Sequence, residues 1–144
     1  MKWVDGLKVW RRERNITAPQ GVFVPSIQEE LKEYKDAIEG FYLDKDGKVV
    51  IFQSKEEQEH HIIDALCDII VISSNEVELK GYSVDLSMKQ VVKEISSRRQ
   101  DPIQQEEWSH YTENIPTGKW LKDKAQDPST LYTADFSSCK LPIS

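Results

Sequence analysis

The sequence predicts an all-α fold: a helical bundle with a small β-hairpin inserted between two acidic helices and an irregular C-terminal tail. Three observations carry this. Apolar residues recur at three- and four-residue spacing over most of the chain before Pro102, glycines stop two of those runs, and a single Asp46-Gly47 pair sits between short β-branched and aromatic stretches. Trp3, Leu7 and Trp10 mark a first helix from about Trp3 to Arg14, which Pro19 and Gly21 terminate. Ser26 followed by Glu29 has the form of a capping box, and Ile27, Leu31, Tyr34 and Ile38 make an apolar stripe that Gly40 ends. The segment FYLDKDGKVVIFQ then supplies the hairpin around Asp46-Gly47. The longest helix is predicted from about Lys55 to Lys80, stopped by Gly81, and the next from about Val84 to Arg99 on the stripe Val84, Met88, Val91 and Ile95. Asp101-Pro102 opens a short helix to about Tyr111, and beyond Pro116 the chain reads as irregular, with one turn near Ser129 to Phe136.

With 144 residues and 38% hydrophobic content, residues 1–144 are expected to form a single domain with one modest core. No run approaches the roughly 20 apolar residues of a membrane span, and the first residues lack a secretory signal's apolar centre, so a cytoplasmic protein is expected, free of membrane. Cys67 and Cys139 match no zinc or redox spacing and read as thiols, Cys67 within the core. A net charge of -6 argues against nucleic-acid binding, which depends on Lys and Arg against phosphate. The acid is gathered: residues 24–79 hold fourteen Asp or Glu against five Lys, which favours a cation there.

On a helical wheel the long helix places Ile62, Ala65, Leu66, Ile69, Ile70 and Ser73 on one broad face, with Ile63, Cys67 and Val71 reaching round the sides. Glu57, His61, Asp64, Asp68 and Asn75 share a strip roughly 60° wide. Such a helix is expected to be buried almost all round, so its acidic strip points inward or into a cleft. Bare carboxylates there are costly through desolvation and mutual repulsion, and a bound cation removes the cost. The preceding helix adds Glu30 and Glu33, with Glu29 beside them. Antiparallel packing of the two helices across the hairpin brings four carboxylates together as an all-oxygen site suited to Mg2+, or Mn2+ in its place.

These residues resemble the MazG-like, all-α nucleoside triphosphate pyrophosphohydrolase superfamily, whose signature pairs an E-E-x-x-E helix with a later helix bearing E-x-x-D. Glu29-Glu30-x-x-Glu33 fits the first half. In the second half the aspartate maps to Asp68, but Ala65 stands three positions before it and the acid is Asp64, four before, as in a phage-type D-A-L-x-D form. The resemblance covers residues 20–100. It implies hydrolysis of a (deoxy)nucleoside triphosphate to monophosphate and pyrophosphate, with Glu30, Glu33, Asp64 and Asp68 as metal ligands and Glu29 as an outer, water-orienting carboxylate. Glu29, Glu30, Glu33 and Asp68 would thus form the catalytic set. It further implies a homodimer or homotetramer and, from the phage-like motif, a role in adjusting a deoxynucleotide pool, a purine being the preferred base, in a host cytoplasm if phage-encoded.

Phosphates need cations, for which Arg98, Lys119 and Lys122 are the candidates; Trp10 and Trp120 are candidates to stack on a base, and Asn75 to contact the nucleotide. Two other functions compete. A helical interaction or inhibitor module would use the acidic strip against a partner's basic surface. A ferritin-like di-iron protein would use Glu57-x-x-His60 and Glu107-x-x-His110, two E-x-x-H motifs of the kind such bundles carry.

Overall fold

The computed structural model describes residues 2–109 and 121–142. Its elements are α1 (Trp3–Glu13), α2 (Phe23–Glu39), β1 (Phe41–Leu43), β2 (Val49–Ile51), α3 (Lys55–Leu79), α4 (Val84–Ser97) and α5 (Pro102–Ser109), with a single 3-10 turn at Pro128–Thr130. Over the described residues the fold is thus predominantly helical with one antiparallel hairpin, as the periodicity predicts. Among the described residues no helix is long and apolar enough to cross a membrane. The chain divides into two compact units, Met1–Val84 and Asp85–Ser144.

The first unit is built on α2 and α3, antiparallel and joined by the hairpin. α2 begins three residues before the expected cap. Pro25 therefore occupies its first turn, where a missing N–H costs nothing, and the Ser26 hydroxyl donates backwards to the Val22 carbonyl at 2.6 Å instead of capping. At its other end Gly40, with φ of 100°, supplies the left-handed residue that closes the helix. In the hairpin Phe41 pairs with Ile51 and Leu43 with Val49, and the Asp44 carboxylate accepts the backbone N–H groups of Asp46 and Lys48, each at 2.9 Å. Ser54 caps α3 by accepting the Glu57 N–H at 3.1 Å, and the Glu57 carboxylate accepts from the Gln53 N–H at 3.0 Å. Glu57 is therefore a capping residue, not part of the acidic strip. Gln58 fixes the register of the two helices, its amide donating to the Ala37 carbonyl at 2.8 Å.

Two expectations about burial fail. The side of α2 turned toward α3 carries Phe23, Ile27, Glu30, Tyr34 and Ala37, whereas Leu31 and Ile38 from the predicted stripe are exposed. Nor is α3 covered all round: Ile63, Leu66, Cys67 and Ile70 are exposed, and Ala65, Ser74 and Glu78 are its buried residues. α1 packs on α3 through Val4 and Arg11, leaving Trp3 and Trp10 outward. In each case the sequence carries more apolar surface than a single partner helix can cover, so spacing alone does not tell which stripe is taken.

In the second unit, α4 turns Ser87, Val91 and Glu94 inward while Met88 and Ile95 are exposed. The extended tail is tied back by side chains. Gln126 bridges the Arg99 N–H and the Ser97 carbonyl, each at 2.7 Å, Arg99 pairs with Asp123 at 2.6 Å, and the Tyr132 hydroxyl meets Gln90. Asp101 accepts the Ile103 N–H at 2.8 Å and so caps α5 as expected. Cys139 is buried in the tail.

Candidate metal centre

The antiparallel pairing of α2 and α3 sets the middle of one helix beside the middle of the other, which is where each carries its acids. Glu30 lies within the side of α2 that meets α3, and Asp68 is half-buried on the facing helix. One oxygen of Glu30, Oε2, is buried and has no hydrogen-bond partner. Buried polar atoms are nearly always satisfied, and a carboxylate oxygen of this kind suits a proton or a cation. Burial, then the hydrogen bond and charge of Glu33, then the charges of Asp68 and Glu29 lift the Glu30 carboxyl from 4.5 to about 7. Asp68 is raised as well, by burial first and the charge of Asp64 second. The charges of Glu29, Glu33 and Asp68 thus all reach Glu30, and that of Asp64 reaches Asp68, the five carboxylates the sequence singled out.

The cluster opens on one side into a polar cavity of about 500 Å³, lined by Glu29, Glu33, Asp64, Lys32, Asp36 and residues of the hairpin. Lys32 spans the rim, 2.9 Å from Asp36. His61 also lines this cavity but belongs to an aromatic cluster, stacked on Tyr42 with ring centres 4.8 Å apart and edge-on to Phe52 at the same distance. Among the described residues no three Asp, Glu, His or Cys side chains converge tightly enough to enclose an ion as they stand. The donor set nonetheless fits a hard divalent cation: it is all carboxylate, half-buried at Glu30 and Asp68, mutually repelling, and has one oxygen without a partner.

The candidate substrate-binding residues are dispersed. Asn75 lies two turns beyond Asp68 on α3, where its Oδ1 accepts from Arg11 at 2.6 Å. Trp10 lines a cavity shared with Asn75, and the Arg14 guanidinium lies 4.7 Å over its ring. Arg98 belongs to the second unit and donates to Glu94 at 2.9 Å; Lys122 is exposed there and pairs through its backbone with Gln100. Lys119, Trp120 and the second E-x-x-H histidine, His110, fall outside the described residues. In the first such motif Glu57 is committed to the helix cap and His60 is exposed, 3.8 Å from Glu56.

Sequence reasoning missed Arg11 and Glu78. Their side chains meet at 2.7 Å, both nearly wholly buried, and the second Glu78 oxygen accepts the Val84 N–H at 3.2 Å. The only hint in the sequence is that Arg11 follows Val4 by two turns on the packed side of α1. No protein-family model matches the chain, nor does any curated protein or solved structure compared with it.

Proposed function

We propose that the chain is a divalent-metal-dependent nucleoside triphosphate pyrophosphohydrolase of MazG-like type. The observation that carries this is the buried, unpartnered oxygen of Glu30, whose carboxyl feels the charges of Glu33, Asp68 and Glu29, beside a cavity with room for a polyphosphate. A purely structural cluster would gain from replacing Glu30 by an apolar residue, since repelling carboxylates destabilise the helix pair that carries them. Its presence at the packed side makes sense when a cation completes it.

Glu30, Glu33, Asp64 and Asp68 would hold magnesium, with manganese able to replace it. When bound, the metal would neutralise phosphate oxygens and acidify a water. Glu29, exposed on the cavity wall, is the group placed to orient that water and accept its proton. Water oxygen joins the α phosphorus, the bond from that phosphorus to the α–β bridging oxygen breaks, and monophosphate and pyrophosphate leave. Hydrolysis of this kind needs no covalent enzyme intermediate, in keeping with a site built of carboxylates. A purine deoxynucleotide is the preferred substrate.

The active form is a homodimer or homotetramer. Ile63, Leu66 and Ile70 on α3, with Leu31 and Ile38 on α2, expose more apolar side chain than a lone helix pair should leave in water. The same surface favours a second reading, a helical interaction module, which would be indifferent to magnesium. Pyrophosphate release from a panel of ribo- and deoxynucleoside triphosphates, with magnesium or manganese and a chelator control, separates the two. Metal-dependent release is expected; silence over the whole panel, with no metal binding, would leave the interaction module.

A further inference from the structure

A second, smaller cavity lies higher in the same α2–α3 groove. Ser26 precedes Glu30 by one turn on α2, and Ile72 follows Asp68 by one turn on α3, so it begins about 6 Å along the helix axes from the acid cluster. Its volume is about 140 Å³, close to the roughly 150 Å³ that accommodates one benzene ring in an apolar protein cavity. The walls are mainly apolar, from Trp10, Phe23, Val22, Ile72 and Leu79; Gln20, Ser26 and Glu76 add polar groups, and so does the amide of Asn75.

The orientation of that amide is fixed by chemistry. Arg11 can only donate hydrogen bonds, so the Asn75 atom 2.6 Å from its guanidinium is the carbonyl oxygen, and the NH2 group is the end left over. Glu78 locks Arg11 in turn at 2.7 Å, and the Val84 N–H holds Glu78. An ordinary asparagine can rotate its amide to suit either a donor or an acceptor. This one cannot without setting its NH2 against a guanidinium, so it offers a ligand a donor only.

We propose that this cavity receives the base of the nucleotide whose phosphates occupy the acid cluster, and that Asn75 donates to a base carbonyl. A flat ring suits the apolar walls, and the fixed donor selects among rings. Guanine, thymine, uracil and cytosine each carry a carbonyl oxygen; adenine accepts only at ring nitrogens, and its N1 and N7 each flank an amino group that would oppose the Asn75 NH2. Arg11 and Glu78 are positioning residues, acting through Asn75. The assignment builds on the triphosphate chemistry proposed above, but the cavity is testable without it.

The test is titration of the four deoxynucleoside monophosphates and of base-free deoxyribose 5-phosphate into the full chain in chelator, followed by ligand-observed NMR. The carbonyl-bearing bases should bind at least about ten-fold more tightly than dAMP, because a donor held in one orientation favours a ring whose acceptor is not flanked by an opposing amino group. Asn75→Asp keeps the acceptor that Arg11 needs and removes the donor, so it should reverse the order in favour of dAMP while the thermal unfolding transition stays in place. Equal binding of all four monophosphates, binding no tighter than deoxyribose 5-phosphate, or an unchanged order in Asn75→Asp overturns the base site. Absence of pyrophosphate release from every triphosphate refutes the hydrolase reading alone, and leaves a carbonyl preference in the monophosphate titration standing.

Discussion

Substituting Glu30 should expose the conflict on which the metal centre rests. A carboxyl raised from 4.5 to about 7 holds its proton in the folded chain over a range where the unfolded chain has already released it. Between those two values the folded state binds more protons than the unfolded, so stability falls as pH rises from about 4.5 to about 7 and levels off above that. The full linkage would be about 3 kcal/mol, and partial solvent exposure reduces it to about 1–2 kcal/mol. In chelator, Glu30→Gln should therefore flatten the pH profile and raise the unfolding temperature at pH 8 by about 2–8 °C. Magnesium at the proposed site should act in the opposite sense, because it would bind the ionised form. Its apparent affinity should fall about ten-fold for each pH unit below 7, and binding at pH 6 should release close to one proton. Calorimetric titration with magnesium in two buffers of different ionisation enthalpy measures both. A magnesium affinity equal at pH 6 and pH 8, or a Glu30→Gln variant whose stability tracks pH as the parent's does, would refute the reasoning.

Three further outcomes follow from the same structure. Glu33→Gln and Asp68→Asn should each lower pyrophosphate release by at least about 100-fold with the far-ultraviolet dichroism unchanged, since charge is lost at almost constant volume; wild-type rates in both would remove the site. Arg11→Ala strands the buried Glu78 carboxylate and should cost about 3–5 kcal/mol in urea unfolding, whereas the double change Arg11→Met with Glu78→Gln should cost less than Arg11→Ala alone; additive losses would show that the pair is not coupled. Ile70→Glu, on the exposed apolar side of α3, should shift sedimentation toward a single chain, and an unchanged sedimentation coefficient would place the interface elsewhere.

The local punctuation of this fold is legible from sequence because it is set by residues a few positions apart. Gly40 and Gly81 at helix ends, Asp46-Gly47 in the hairpin and Asp101-Pro102 before α5 each solve a backbone problem within their own turn. Ser26 shows the limit of that logic. Ser-x-x-Glu matches a capping box, yet the same hydroxyl can bond back to a carbonyl four residues earlier, and Val22 through Pro25 tolerate the extra turn. What spacing does not reveal is which of two apolar stripes a helix spends inside its own chain. α2 and α3 each carry such a surplus, and the Arg11–Glu78 pair, 67 residues apart, leaves no local trace at all.

The position of Glu30 joins these points. Seen as a periodic pattern, α2 places Ile27, Leu31, Tyr34 and Ile38 together and leaves Glu30 on their flank. In the structure the helix is turned so that Glu30 faces α3, and Leu31 and Ile38 are given up to the surface. Burying that apolar pair instead would gain about 1.5–3 kcal/mol for each side chain and would spare the desolvation of a carboxylate. A folded chain that forgoes both needs a compensating term from outside the isolated subunit. A cation at Glu30 Oε2 recovers the electrostatic part, and a second copy covering Leu31 and Ile38 recovers the hydrophobic part. Metal binding and self-association, as proposed, would therefore be coupled: both would favour the same rotation of α2, and weakening either should weaken the other. Magnesium should tighten the association of Ile70→Glu subunits measured by sedimentation, whereas Glu30→Gln subunits should associate to the same extent with and without it; an association constant for Ile70→Glu that magnesium leaves unchanged would show that the two terms act independently.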